Sequence, residues 1–317
     1  MAAKHIILDF SHVYLDENIP KNDKLHWLDC SDINECDLYC SKQAEEQIWN
    51  KIEPYGINGI HFLDSGNYHY VTGIITDHIR QDFVLVLFDH HTDMQKPMIE
   101  HMTSCGDWAA KALDTNERLK QIILIGPHES DIAQIECKNK DKLITFSAEE
   151  LRKEYEQNAI GDNNKISKIR KDLPFYISID KDVLDEKYSE TNWSQGRMSL
   201  TMLERLLTHF LENEKIIGID ICGECQQGIP LPEYFEAEEI NSETNRELFE
   251  FLTNYIKIKN KESVQNPYVV LQDDIMLKKL EVSREHANQG EYKDADSVIE
   301  DIRAKYGLGH EGKESEL

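Results

Sequence analysis

Residues 83–93 read FVLVLFDHHTD, and this stretch decides the fold. Phe83 to Phe88 are consecutive apolar residues without charge or helical spacing. A strand buried on both faces reads this way, as in a parallel sheet covered by helices. The run then breaks into Asp89-His90-His91-Thr92-Asp93. In extended backbone alternate side chains share a face, so Asp89, His91 and Asp93 can converge on one point. Two carboxylates and an imidazole at the carboxyl end of a buried strand outline a divalent-metal site. Taken alone, the segment also fits a polar strand end that simply meets solvent.

A second stretch repeats the design. FYISIDKDVLD, residues 175–185, is an apolar strand followed by Asp180 and Asp182. A single Asp-x-Asp is a weak signal because turns are rich in aspartate. Two acidic clusters, each at the end of an apolar strand, would crowd four carboxylates together if the strands are neighbours. Their repulsion calls for cations, and for more than one.

The composition narrows the function classes. The chain has 317 residues, 40% of them hydrophobic, enough for one large core or one domain with an appendage. Its net charge of −25 argues against nucleic acid, which is bound by basic surfaces, and favours at most small cationic ligands. The first residues, MAAKHIILDFSHVYLDE, lack a basic segment followed by a long apolar core, and no apolar run is long enough to span a bilayer. A cytoplasmic protein without membrane contact is expected. Seven cysteines, including Cys222 and Cys225 in a Cys-x-x-Cys spacing, read as free structural thiols, since no second such pair completes a zinc set.

Apolar strands at residues 5–10, 59–63, 83–88, 121–125, 175–179 and 216–221 alternate with helical stretches at 41–52, 73–80, 104–113, 147–156, 199–212 and 242–256. Ser147-x-x-Glu150 is a capping box, and 199–212 carries a leucine-rich apolar face. This alternation implies βαβ units, hence an α/β protein with a mostly parallel sheet between two helical layers. Ligands in such folds sit at the carboxyl ends of strands, where every polar cluster here falls. From about residue 273 the chain is charged and poor in strands, and two helices, 275–288 and 293–306, predict a helical hairpin. The expected organisation is a domain over 1–272 and a helical extension over 273–317.

With Asp89-x-His91-x-Asp93 followed by Asp180-x-Asp182, the chain resembles the arginase/agmatinase/formiminoglutamase (ureohydrolase) family. The resemblance implies a three-layer α/β/α sandwich with two Mn²⁺ ions per chain. Those ions activate a bridging hydroxide that cleaves a C–N bond of a linear guanidine or amidine. It implies His69, in Gly66-Asn67-Tyr68-His69, as a further ligand. One ion would lie among His69, Asp89, Asp93 and Asp180. The other would lie among His91, Asp89, Asp180 and Asp182, with Asp89 and Asp180 bridging and Asp93 relaying a proton. A small cationic substrate and a homo-oligomer also follow from the resemblance.

The sequence departs from the family in its substrate loops. The family glutamate that pairs with a guanidinium belongs to Asp-Ile-x-Glu, whereas here Asp220-Ile221-Cys222-Gly223-Glu224 places Glu224 one residue late, a shift that a bulge would correct. The stretch 103–109, TSCGDWA, lacks the loop histidine used for proton transfer, for which His101 or His90 would substitute. His128, Glu129 and Asp131 follow a strand and could read a substrate tail. Two other functions stay open. One is a single-zinc deacetylase of the same fold, against which the complete second ligand set speaks. The other is a metal-binding regulatory or interaction protein with altered catalysis.

Overall fold

The computed structural model describes residues 4–14, 19, 25–156 and 163–262. Among the described residues ten strands run in chain order: β1 (His5–Asp9), β2 (Leu25–Asp29), β3 (Tyr39–Cys40), β4 (Ile60–Phe62), β5 (Phe83–Phe88), β6 (Thr103–Ser104), β7 (Leu119–Ile125), β8 (Leu143–Phe146), β9 (Phe175–Asp180) and β10 (Ile216–Cys222). Eight of them form one sheet in the order β2-β1-β4-β10-β9-β5-β7-β8, and β3 pairs with β6 in a separate two-stranded piece. Every pairing in the large sheet is parallel. All the carboxyl ends of its strands therefore lie along one edge.

The sheet is covered on both faces, and the alternation of side chains shows how. Leu85 and Leu87 of β5 and Ile122 and Leu124 of β7 share a core with α1 (Lys42–Ile52), α2 (Val71–Asp77) and α3 (Trp108–Thr115). Phe88 points the other way, where its ring and that of Phe175 meet Phe210 of α7 (Leu200–Asn213). Phe62 likewise meets Phe249 of the long α8 (Leu231–Glu262). This is the α/β/α sandwich that the uninterrupted apolar strands imply.

Serine side chains cap the starts of three helices, one of them at the capping box expected at Ser147. Ser41 and Ser199 accept from the backbone N–H of Ala44 and Met202. Ser147 and Glu150 exchange hydrogen bonds, a full capping box opening α5 (Ala148–Glu156). Other elements differ from expectation. The helix expected at 104–113 starts later, at Trp108, because Thr103–Ser104 is extended against Tyr39–Cys40. The helix expected at 242–256 begins already at Leu231. Edge strands β2 and β8 escape the hydrophobic pattern because each is covered on fewer sides. The 272/273 boundary and the C-terminal hairpin lie outside the described residues. Among the described residues no helix is long and apolar enough to cross a membrane.

Candidate metal centre

The four adjacent central strands β4, β10, β9 and β5 end at one place. β5 delivers Asp89, and the turn that follows delivers His91 and Asp93. β9 ends on Asp180, whose carboxylate accepts from the backbone N–H of Asp182 at 2.9 Å and so holds the next turn. After β4 the chain makes a short 3-10 turn, Gly66–Tyr68, that ends on His69. Asp93 closes its own turn in the left-handed region, at φ +50°.

These side chains converge as the strand ends predict. His69 Nδ1 lies 2.9 Å from Asp93 Oδ2, 3.3 Å from Asp89 Oδ2 and 3.4 Å from Asp180 Oδ2. His91 Nδ1 lies 2.7 Å from Asp182 Oδ2 and 3.7 Å from Asp89 Oδ1. Ligand atoms of His69, Asp89 and Asp180 fall within 4.8 Å of one another, and so do those of Asp89, His91 and Asp182. The two groups share Asp89.

The cluster is buried, and its electrostatics follow from that. Burial, with the charges of Asp93 and Asp182, holds Asp89 well above the usual carboxylate range. Asp180 is pushed up to about 7, first by burial and then by Asp182, with His69 opposing. Burial works to lower His69, yet the carboxylates of Asp89 and Asp93 beside its ring and the charge of Asp180 raise it well above its ordinary value. For His91 burial also opposes, and the hydrogen bond and charge of Asp182 outweigh it, carrying the ring to about 10. Protons thus take the place of positive charge in this pocket, the behaviour of carboxylates arranged for cations.

Neighbours set the orientation of these side chains. Trp108 Nε1 donates to Asp93 Oδ2 at 2.6 Å, and its ring lies 5.0 Å from that of His69. His69 Nε2 meets Ser178 Oγ at 3.0 Å, which assigns the ring's other nitrogen to the cluster. The backbone N–H groups of His90 and His91 donate to Asp182 and Asp89. Trp108 belongs to the 103–109 stretch that lacks a histidine; that stretch supplies an indole instead.

The expectations for the substrate residues fare differently. Glu224 enters neither candidate metal group and is engaged by a buried lysine. A Cβ on Gly223 would stand 2.5 Å from Asp180 Oδ1, and Gly223 adopts φ +98°, a conformation that glycine alone adopts readily. The chain therefore leaves β10 through bare backbone, and Glu224 meets a buried lysine. There its Oε1 accepts from Lys181 Nζ at 2.5 Å and from Asn245 Nδ2 at 2.9 Å, with the Lys181 and Glu224 side chains fully buried. Its other oxygen, Oε2, is buried with no hydrogen-bond partner among the described residues. His101 is exposed, at φ +69°, and among the described residues no hydrogen bond or ion pair ties it to the cluster. His90 is the histidine beside it, with its ring 5.1 Å from His91 and burial holding it below its ordinary value. His128, Glu129 and Asp131 are exposed; His128 stacks edge-on to His90 at 5.3 Å, while its Nδ1 pairs with Glu149. None of the seven cysteines is in a disulfide, and none enters the two candidate metal groups.

A parallel α/β/α sandwich with an acid–imidazole pocket that could hold metal at its central strand ends defines the class. Residues 12–224 match the model of the arginase family, and the chain belongs to that family. An uncharacterized protein of Thermotoga maritima is 31% identical over 261 residues, covering 81% of this chain and 94% of its own. Among solved structures, formimidoylglutamase from Bacillus subtilis superposes with a TM-score of 0.56 at 13% identity, over 80% of this chain and 87% of that one. The agmatine ureohydrolase of Thermoplasma volcanium gives 0.53 at 16%, over 80% and 89%. A hypothetical agmatinase from Burkholderia thailandensis gives 0.54 at 13%, over 82% and 88%. At these identities the likeness is one of fold.

Proposed function

We propose that this protein is a binuclear metal hydrolase that cleaves a C–N bond of a small, linear guanidine or amidine. The observation that carries the proposal is the convergence of His69, His91, Asp89, Asp93, Asp180 and Asp182 in one buried pocket. The residues fit a pair of divalent ions. Asp89 Oδ2 is buried without a hydrogen-bond donor, and an all-oxygen and imidazole set without thiolate suits Mn²⁺. His69, Asp89, Asp93 and Asp180 would hold one ion, and His91, Asp89, Asp180 and Asp182 the other. Bound there, the pair supplies Lewis-acid activation of water near neutral pH.

The chain's own residues do the rest. The carboxylates and the overall charge of −25 draw a cationic substrate to the strand ends. Asp93 is the proton carrier nearest the pocket; Trp108 fixes its Oδ2 so that the carboxylate keeps one orientation as it takes and gives a proton. His90, whose Nδ1 is buried without a hydrogen-bond partner, is the imidazole placed to exchange protons at the rim. His128, Glu129 and Asp131 form the outer rim where a substrate tail would reach. As in the family it resembles, we expect a homo-oligomer, which light scattering on the full chain tests.

The test is release of urea or ammonia from a panel of guanidines and amidines by Mn²⁺-loaded protein. Turnover on at least one member, lost in Asp93→Ala, is the expected result; no release from any member contradicts the hydrolase. The diversion of Glu224 to Lys181 favours a second reading, a metal-holding member of the family with altered catalysis. That reading expects bound metal without turnover.

A further inference from the structure

Trp193 stands apart from the other large apolar side chains near the pocket because it is fixed in place yet 42% exposed. It lies on the 185–198 segment, between β9 and α7. The segment is pinched at its base, where Asp185 N donates to Met198 O and Gly196 N to Asp182 O. Within it Gln195 Nε2 donates to Ser189 O, and Ser189 Oγ and Glu190 N both donate to Asn241 of α8. The tip then clasps the His69 turn: Asn192 Nδ2 and Trp193 Nε1 donate to Asn67 Oδ1 at 2.7 and 3.1 Å. Gly66 leaves the room this needs, since a Cβ there would stand 2.6 Å from Trp193 Cδ1. On the inner side Ser194 Oγ meets His91 Nε2 at 2.9 Å, and the indole lies 5.9 Å from the His91 ring.

A rigid segment holding a half-exposed indole against an imidazole of an acidic pocket keeps apolar surface in water without burying it. The hydrogen bond to Asn67 and the packing on Gly66 fix the indole and leave part of it open to a ligand beside the pocket. An indole face attracts a cation through its quadrupole and matches a flat, delocalised one in shape. We propose that Trp193 is a specificity-determining residue, the aromatic wall on which the planar cationic group of the substrate, a guanidinium or amidinium, stacks beside the carboxylates. The proposal rests on the hydrolase reading for its substrate class, but concerns binding.

Butylguanidine, the neutral planar butylurea and the non-planar cation butylammonium separate charge from shape. Their binding to Mn²⁺-loaded full-length protein is measured by calorimetry, and by tryptophan emission for the wild type. Butylguanidine is expected to bind most tightly and to shift the emission saturably. Trp193→Ala should remove that shift and weaken butylguanidine by about 2- to 30-fold, with Trp193→Phe recovering much of the loss. If a guanidine proves to be a substrate, Trp193→Ala should raise KM by a similar factor and leave kcat nearly unchanged. Equal butylguanidine affinity in wild type and Trp193→Ala, or no binding to the wild type, overturns the proposal. Binding with the expected preference but no turnover of any guanidine leaves the wall in place and defeats the hydrolase instead.

Discussion

Lys181 sits between two proposed metal ligands in sequence, in the 3-10 turn Lys181–Val183 that follows β9, and its side chain is fully buried against Glu224. There it forms a fully buried ion pair with Glu224, completed by Asn245. Removing one member of such a pair strands the other charge away from water. Lys181→Met is therefore expected to destabilise the protein by about 3–5 kcal/mol, read by denaturant unfolding. A loss under about 1 kcal/mol would mean that the pair does not hold the ends of β9 and β10. Trp108 acts on the pocket through Asp93, so Trp108→Phe should lower metal affinity by about 10- to 100-fold with little change in fold; unchanged affinity would assign the indole to packing alone. The clustering of Asp89, His91 and Asp93 was legible in the sequence as polar residues at the carboxyl end of a buried strand, although a turn with Asp93 at φ +50°, and not extended alternation, brings them together. The fate of Glu224 was not, because it depends on the φ of Gly223 and on a lysine 43 positions away. The role of Trp108 was equally hidden, since the path from 93 to 108 runs through loops and the short β6, whose pairing with β3 is not local.

At the scale of elements, the central strands were readable because burial on both faces leaves uninterrupted apolar runs, as in β5 and β9. The edge strands were not: LHWLD of β2 mixes exposed and half-buried residues and carries no run. Helix starts were readable wherever a serine side chain caps them, at Ser41, Ser147 and Ser199. The start of α3 was misplaced because the extended pairing of β6 with β3 overrides local helical tendency. These caps carry measurable stability. Ser199→Ala leaves the Met202 N–H without its acceptor, and should cost about 0.5–2 kcal/mol by chemical denaturation. No measurable loss would show that α7 is held by its buried leucines alone.

For the whole molecule, the buried pocket sets how stability responds to pH. Asp180 moves from an ordinary 3.8 to about 7 in the fold, so the folded state keeps a proton that the unfolded chain has released. Its contribution is lost as pH rises through that window. His91, raised from 6.5 to about 10, contributes fully below its ordinary value and loses that contribution as pH climbs toward 10. Both act in the same direction, as does growing repulsion in a chain of charge −25. Metal-free protein should melt at a lower temperature at about pH 9 than at about pH 6, and Mn²⁺ should restore more stability at the higher pH. A melting temperature that is flat or rising with pH in chelator would contradict this. Most direct of all is the metal content of Mn²⁺-loaded protein after dialysis, beside Asp89→Ala and Asp180→Ala. Two ions per wild-type chain, with both lost or sharply weakened in either variant, are expected if the two carboxylates bridge one pair. One ion or none in the wild type, or two retained by the variants, would contradict a binuclear centre at these strand ends.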